Sequence, residues 1–231
     1  LLDLLERTVA SEDVRSLAAE PLERWERDLD AALRLRNAEL PTLENRVRTL
    51  ALEAAEDPAA ADRLRSAATR RVQLHQGVRD ITLGGAAAIA AALPPADAAR
   101  FTDAFHREAF PSAAGATPLE RLLAAAMGRD DLDARDRSEL DRLAAAYAAE
   151  RAAADERIRA ATIEREPRDL LSTITGPPRL EDAGSAASDP GPITAAYRAR
   201  RDLGARYAAA IRAILGSEVF DAMPAARMWR R

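Results

Sequence analysis

The chain has 231 residues, of which 48% are hydrophobic and only 4% aromatic, and carries a net charge of −4. That length is ample for a buried core, while the acid balance, with carboxylates and arginines interleaved, argues against a general nucleic-acid footprint or a polybasic membrane anchor. With no cysteine, the chain has no disulfide, no cysteine-based zinc site and no cysteine nucleophile.

Alanine supplies roughly a quarter of the residues, far above ordinary usage. It is the best helix former and lets helices approach closely. Every cation is arginine, because lysine is absent; this compositional bias carries no phosphate-binding meaning by itself. Period-2 runs of Val, Ile and Thr, the mark of strands, are missing. The longest apolar run, Ala86 to Leu93, is far short of the ~18–20 residues of a membrane span.

In chain order, Ser11-Glu12-Asp13 reads as a cap opening a helix. Leu17, Pro21, Trp25, Leu29, Leu33 and Leu40 continue it as an amphipathic stripe. Pro41 is expected to interrupt the stripe, which resumes through Leu43, Val47, Leu50 and Leu52 up to an Asp57-Pro58 turn. A second long helix is expected from Asp62 to Leu93, with Gly84-Gly85 as its weak point. Leu93-Pro94-Pro95 stops it, and Pro95 opens a short helix that places Phe101, Phe105 and Phe110 on one side. Pro111 to Pro118 reads as a loop, Leu119 to Met127 as a short helix ended by Gly128, and Leu132 to Glu166 as a long helix. Pro167 to Pro192 is rich in Pro, Gly and Ser and reads as a linker. The last long helix is Ile193 to Leu215, followed by a restart at Gly216-Ser217-Glu218.

One pattern occurs twice. Arg79-Asp80-Ile81, Ala86-Ala87-Ala88-Ile89 and Leu93 recur as Arg201-Asp202-Leu203, Ala208-Ala209-Ala210-Ile211 and Leu215, at a constant offset of 122. The same offset carries Trp25 onto Tyr147. A repeat of this kind implies one supersecondary unit used twice. The expected fold is therefore all-α, an elongated bundle of two similar long-helix hairpin modules, residues 1–115 and 116–231. Trp25, Tyr147, Ile89 and Ile211 are expected in the repeat core.

No catalytic or cofactor motif stands out. Gly-x-Ser-x-Gly is absent, and Gly84-Gly85 has no Lys-Ser/Thr to make a P-loop. The only histidines, His75 and His106, are the weak metal candidates. They lie far apart in sequence, and no Glu-x-x-His accompanies either. The expectation is no metal, no cofactor and no enzymatic activity. Arg34/Arg36, Arg70-Arg71, Arg198/Arg200/Arg201 and Arg230-Arg231 read as solvated faces, or as contacts for an acidic partner.

The helix break after each long second helix resembles the Leu-Thr-x-x-Gln motif of the Spy/CpxP family of bacterial envelope proteins. Here the positions are Leu93-Pro94-Pro95-Ala96-Asp97, with Phe101 downstream, and Leu215-Gly216-Ser217-Glu218-Val219. The leucine and the helix start match in both copies, and the threonine and glutamine match in neither. The resemblance implies a periplasmic or envelope location, with Leu1 following a removed signal peptide. It also implies ATP-independent, chaperone-like or stress-sensing binding of unfolded or partner polypeptides, by a monomer or homodimer. A fixed-partner scaffold and a metal-responsive sensor are the alternatives.

Overall fold

The computed structural model describes residues 1–54, 56–175 and 191–229. Among these, every regular element is helical, in ten α-helices and one closing 3₁₀ turn. They are α1 Leu2–Thr8, α2 Glu12–Ser16, α3 Ala19–Glu53, α4 Pro58–Ala92, α5 Pro95–Ala109, α6 Pro111–Ala114, α7 Pro118–Met127, α8 Ala134–Thr175, α9 Gly191–Leu215 and α10 Ser217–Ala222, then Pro224–Trp229. The chain is all-α, as its composition requires.

The starts and stops follow local chemistry. Ser11 Oγ accepts from Val14 N at 3.4 Å and caps α2. Asp57 caps α4 through Ala59 N at 2.9 Å, with Pro58 in the first position, where its missing donor costs nothing. Thr117 and Glu120 form a reciprocal capping box at α7. Gly216 has φ +79°, so a residue with a Cβ would be strained where α9 turns into α10.

Two expectations are corrected by prolines. Pro41 does not interrupt its stripe: α3 runs unbroken from Ala19 to Glu53. Pro41 is exposed, so its ring clears the packed side, and water can serve the carbonyl that loses its donor. Pro167 likewise lies inside α8, which continues to Thr175. The linker expected from Pro167 is therefore helical up to Thr175; its remainder, 176–190, and Arg230-Arg231 lie outside the described residues. The loop expected from Pro111 holds the single turn α6.

The chain divides into two compact units. One comprises Leu1–Ala109 and, from Glu164, the described end of α8; the other comprises Phe110–Ile163 and the described residues from 191 onward. Residues 110–115, assigned by sequence to the first module, belong to the second unit.

In the first unit α3 and α4 pack along each other as a hairpin. One apolar cluster closes the end where α4 stops: Leu4, Leu5, Val9, Ala18, Ile89, Leu93, Phe101 and Phe105 are buried there, and α1 packs on α5. A second cluster closes the other end with Val47, Leu50, Ala60, Leu64 and Ala67, against which Ile174 packs. Between Leu22 and Val47, no residue of α3 is fully buried.

In the second unit the long helices are α8, as far as Ile163, and α9. The short helix α7 packs against α9 and the closing 3₁₀ turn. Leu119, Leu122, Leu140, Tyr147, Ile211, Phe220 and Met223 form its core. The offset of 122 relates the starts of α5 and α10, and it relates one contact pair to another. In the first unit Trp25 lies across Gly85, where an added Cβ would stand 2.7 Å from Trp25 Cγ and 2.9 Å from its Cβ. In the second, Tyr147 meets Tyr207 edge-on, with ring centroids 5.3 Å apart.

The glycine pair therefore splits in its effect. Gly85→Ala must push apart α3 and α4, because the obstructing atoms are near the Trp25 backbone. It should destabilise by about 1–3 kcal/mol. Gly84→Ala meets nothing within 4 Å and should stabilise by up to about 1 kcal/mol through helix propensity. Thermal unfolding of the two single variants checks the opposite signs.

Candidate functional site

The sequence-selected residues fall mostly in structural positions. Leu93 and Phe101 are buried in the end cluster of the first unit. Asp97 sits in the first turn of α5 and pairs with Arg100. Leu215 packs half-buried against the core of the second unit, and Val219 is half-buried on α10. Ile89 and Ile211 are fully buried, Tyr147 is buried, and Trp25 is half-buried, its indole Nε1 without a hydrogen-bond partner.

His75 lines a hollow of the first unit with Val47, Arg71, Val72, Leu170, Thr173 and Ile174. No carboxylate shares that wall among the described residues. His106 lies on α5 with its ring 6.0 Å from that of Phe105. Among the described residues, no group of three His, Cys, Asp or Glu is placed to hold a metal ion. No described helix is long and apolar enough to cross a membrane.

Two features stand out as candidates for contact with other molecules. The first is α3. A helix of 35 residues extends roughly 52 Å at 1.5 Å per residue. Its apolar stripe of Trp25, Leu29, Leu33, Leu40 and Leu43 is only half-buried, and Leu35 is 50% exposed. Leu17 precedes it at 55% exposure and Leu52 ends it at 79%. Charges alternate along it, with Arg34 paired to Asp30 at 2.7 Å and Arg70 of α4 paired to Glu39 at 2.6 Å. Such exposed pairs contribute little stability and remain free to exchange partners.

The second is a hollow of about 380 Å³ in the second unit. Its framework is a buried charge cluster. Asp155 Oδ2 accepts from Arg151 Nε at 3.1 Å, and Asp155 Oδ1 accepts from Arg200 Nη1 at 2.9 Å. Arg151 also bonds to Gly115 O at 3.0 Å and pairs with Glu120. Arg200 donates to Ala113 O at 2.7 Å and to Ser112 O at 3.3 Å. One carboxylate thus fixes two guanidinium groups, and these tie the segment 112–115 to α8 and α9. The Arg200 guanidinium lies 5.2 Å from the centroid of the Tyr197 ring, within cation–π range.

The wall continues with Tyr147, whose hydroxyl bonds to Thr117 Oγ1 at 2.8 Å, and with Gly204, Met228 and Trp229. At Gly204 an added Cβ would stand 3.0 Å from the Trp229 ring, so glycine admits the indole there. Trp229 Nε1 is buried without an acceptor. Behind Tyr147, Tyr207 donates to Glu150 Oε1 at 2.7 Å, and Arg206 pairs with the same carboxylate.

Sequence reasoning missed this assembly. The signals were the i,i+4 spacing of Arg151 and Asp155 and the Thr-x-x-Glu box at Thr117 and Glu120. Nothing in the sequence pairs Arg200 with Asp155, 45 residues away.

Burial raises the Tyr147 hydroxyl pKa above its ordinary 10.0, and the Thr117 bond partly opposes this. Burial also raises that of Tyr207, and its bond to Glu150 adds to the shift. The Tyr207 and Arg206 bonds lower Glu150 below 4.5. A raised folded value contributes stability that is complete below the unfolded value and lost as pH rises through the folded one. Absorbance titration should therefore show Tyr147 and Tyr207 ionising above pH 10, with unfolding advancing over the same range. On the acid side, Glu150 keeps its bonds to below pH 4.5 and loses them on further acidification. Ionisation of Tyr147 and Tyr207 at pH 10 would contradict the burial.

Asp155→Ala takes the carboxylate from half-buried Arg200 and leaves Arg151 with Glu120. It should cost about 1.5–3 kcal/mol, read as a lowered urea midpoint.

Set against known proteins, the chain matches no family model, no curated protein and no solved structure.

Proposed function

We propose that this protein works by binding other polypeptides through the leucine–arginine side of α3, in a chaperone-like manner and without a catalytic step. The observation that carries this reading is the set of exposed leucines, Leu35 and Leu52 on α3 and Leu17 just before it, standing among charges. Exposed apolar surface rimmed by charge marks an interaction site. Arginine suits this role because its stem covers apolar surface while its head stays in water.

The resemblance at Leu93 and Leu215 supports the same reading and carries an envelope compartment with it. The sensor alternative lacks support from the placement of His75 and His106.

The test is light scattering of reduced α-lactalbumin with stoichiometric protein and no ATP. Suppression of aggregation is expected. Leu17→Ser, Leu35→Ser and Leu52→Ser together should raise the concentration needed by about ten-fold, corresponding to roughly 1.4 kcal/mol of lost apolar contact. These side chains are exposed, so the fold should survive, as circular dichroism would show. No suppression at several-fold molar excess would overturn the reading, and a fixed-partner scaffold would then be sought by pull-down.

A further inference from the structure

The hollow of the second unit has a composition unlike the rest of the surface. Aromatics are 4% of the chain, yet Tyr147, Tyr197 and Trp229 line this one space. Acids outnumber bases in the chain as a whole, yet the described residues lining the hollow include Arg200 and Arg201 and no carboxylate. A neighbouring hollow between α8 and α9 shows the ordinary mixture instead, with Glu150 and Asp202 beside Arg157 and Arg206.

The two arginines are not equivalent. Arg200 is largely buried and held by Asp155, Ala113 O and Ser112 O, so its charge is answered and its plane is fixed beside Tyr197. Arg201 is 74% exposed and stands 3.6 Å from an equally solvated Asp202. A contact of that kind is weak and exchangeable. Among its described residues the hollow therefore offers apolar walls with one available cation at its rim. Its volume of about 380 Å³ falls within the range of small-ligand sites, which are mostly apolar with a few fixed polar groups.

From this we infer that the hollow binds a small amphipathic anion: a planar apolar or aromatic body held against Tyr147, Tyr197 and Trp229, with a carboxylate or similar group meeting Arg201. The site is independent of the α3 face, and either can fail without the other.

The test uses the full chain and two uncharged-versus-charged probes of one shape, naphthalene-2-carboxylate and naphthalene-2-carboxamide, titrated by calorimetry. The carboxylate should saturate a single site and bind about five-fold tighter than the amide, the factor an exposed ion pair supplies. Arg201→Gln should remove that preference and Arg201→Lys should keep it. Ala116→Phe, at an exposed lining position, should abolish binding of both probes while circular dichroism stays unchanged. Absence of saturable binding, an equal affinity for the two probes, a preference that survives Arg201→Gln, or binding untouched by Ala116→Phe would each overturn the assignment.

Discussion

The distance between paired helices is the constraint on which this structure rests. A chain in which alanine dominates buries little apolar area per residue, so its helices must lie close or the hairpins gain too little to offset chain entropy. In the first unit the close approach is set by a missing side chain: Gly85 leaves room for Trp25, the largest residue on α3. At the corresponding positions of the second unit two tyrosines meet edge to edge. That solution needs more room, and it brings two hydroxyls inside. Buried hydroxyls are costly without partners, and both have them, Tyr147 on Thr117 and Tyr207 on Glu150. Positions related by the offset of 122 thus carry different contacts, an indole over a glycine in one unit and two hydroxyl-bearing rings in the other.

The tyrosine solution has further consequences for the second unit. Thr117 must be held where Tyr147 can reach it, and the capping box with Glu120 does this. Glu120 in turn pairs with Arg151, which shares Asp155 with Arg200. A buried ion cluster of this kind adds little net stability over an apolar replacement, because desolvation offsets the attraction. Its effect is positional. It fixes the single turn α6 and Gly115 against two helices through backbone carbonyls of Ser112, Ala113 and Gly115.

Fold class and most helix limits were legible in the sequence, because alanine content, caps and prolines at first positions act locally. Ser11, Pro95 and Gly128 each mark a boundary within a residue or two, whereas the helix expected from Asp62 already starts at Pro58, capped by Asp57. Pro41 and Pro167 misled, since a proline stops a helix only when packing on its two sides is too weak to outweigh about 3 kcal/mol. That balance is tertiary and leaves no local trace. The repeat was legible through identical small motifs, but not what those residues do: Leu93 and Phe101 are core side chains, and the hollow is lined by Tyr197, Arg200 and Trp229. Those three come from a helix and a closing turn, which only folding brings together with Tyr147.

The distribution of burial along α3 connects this architecture to function. Its hairpin is pinned at both ends, by Ile89, Leu93 and Phe101 at one and by Val47, Leu50 and Leu64 at the other. Between these pins α3 contributes only half-buried and exposed side chains. A helix packed firmly throughout would surrender its leucines to the core. A helix free at one end would fray, since helical stability in proteins comes mainly from packing. Two terminal clusters avoid both outcomes: they keep α3 helical across its middle while leaving leucine there in contact with water. A surface of that kind is stable without being satisfied, and that is the physical condition for binding a partner that arrives with apolar residues of its own.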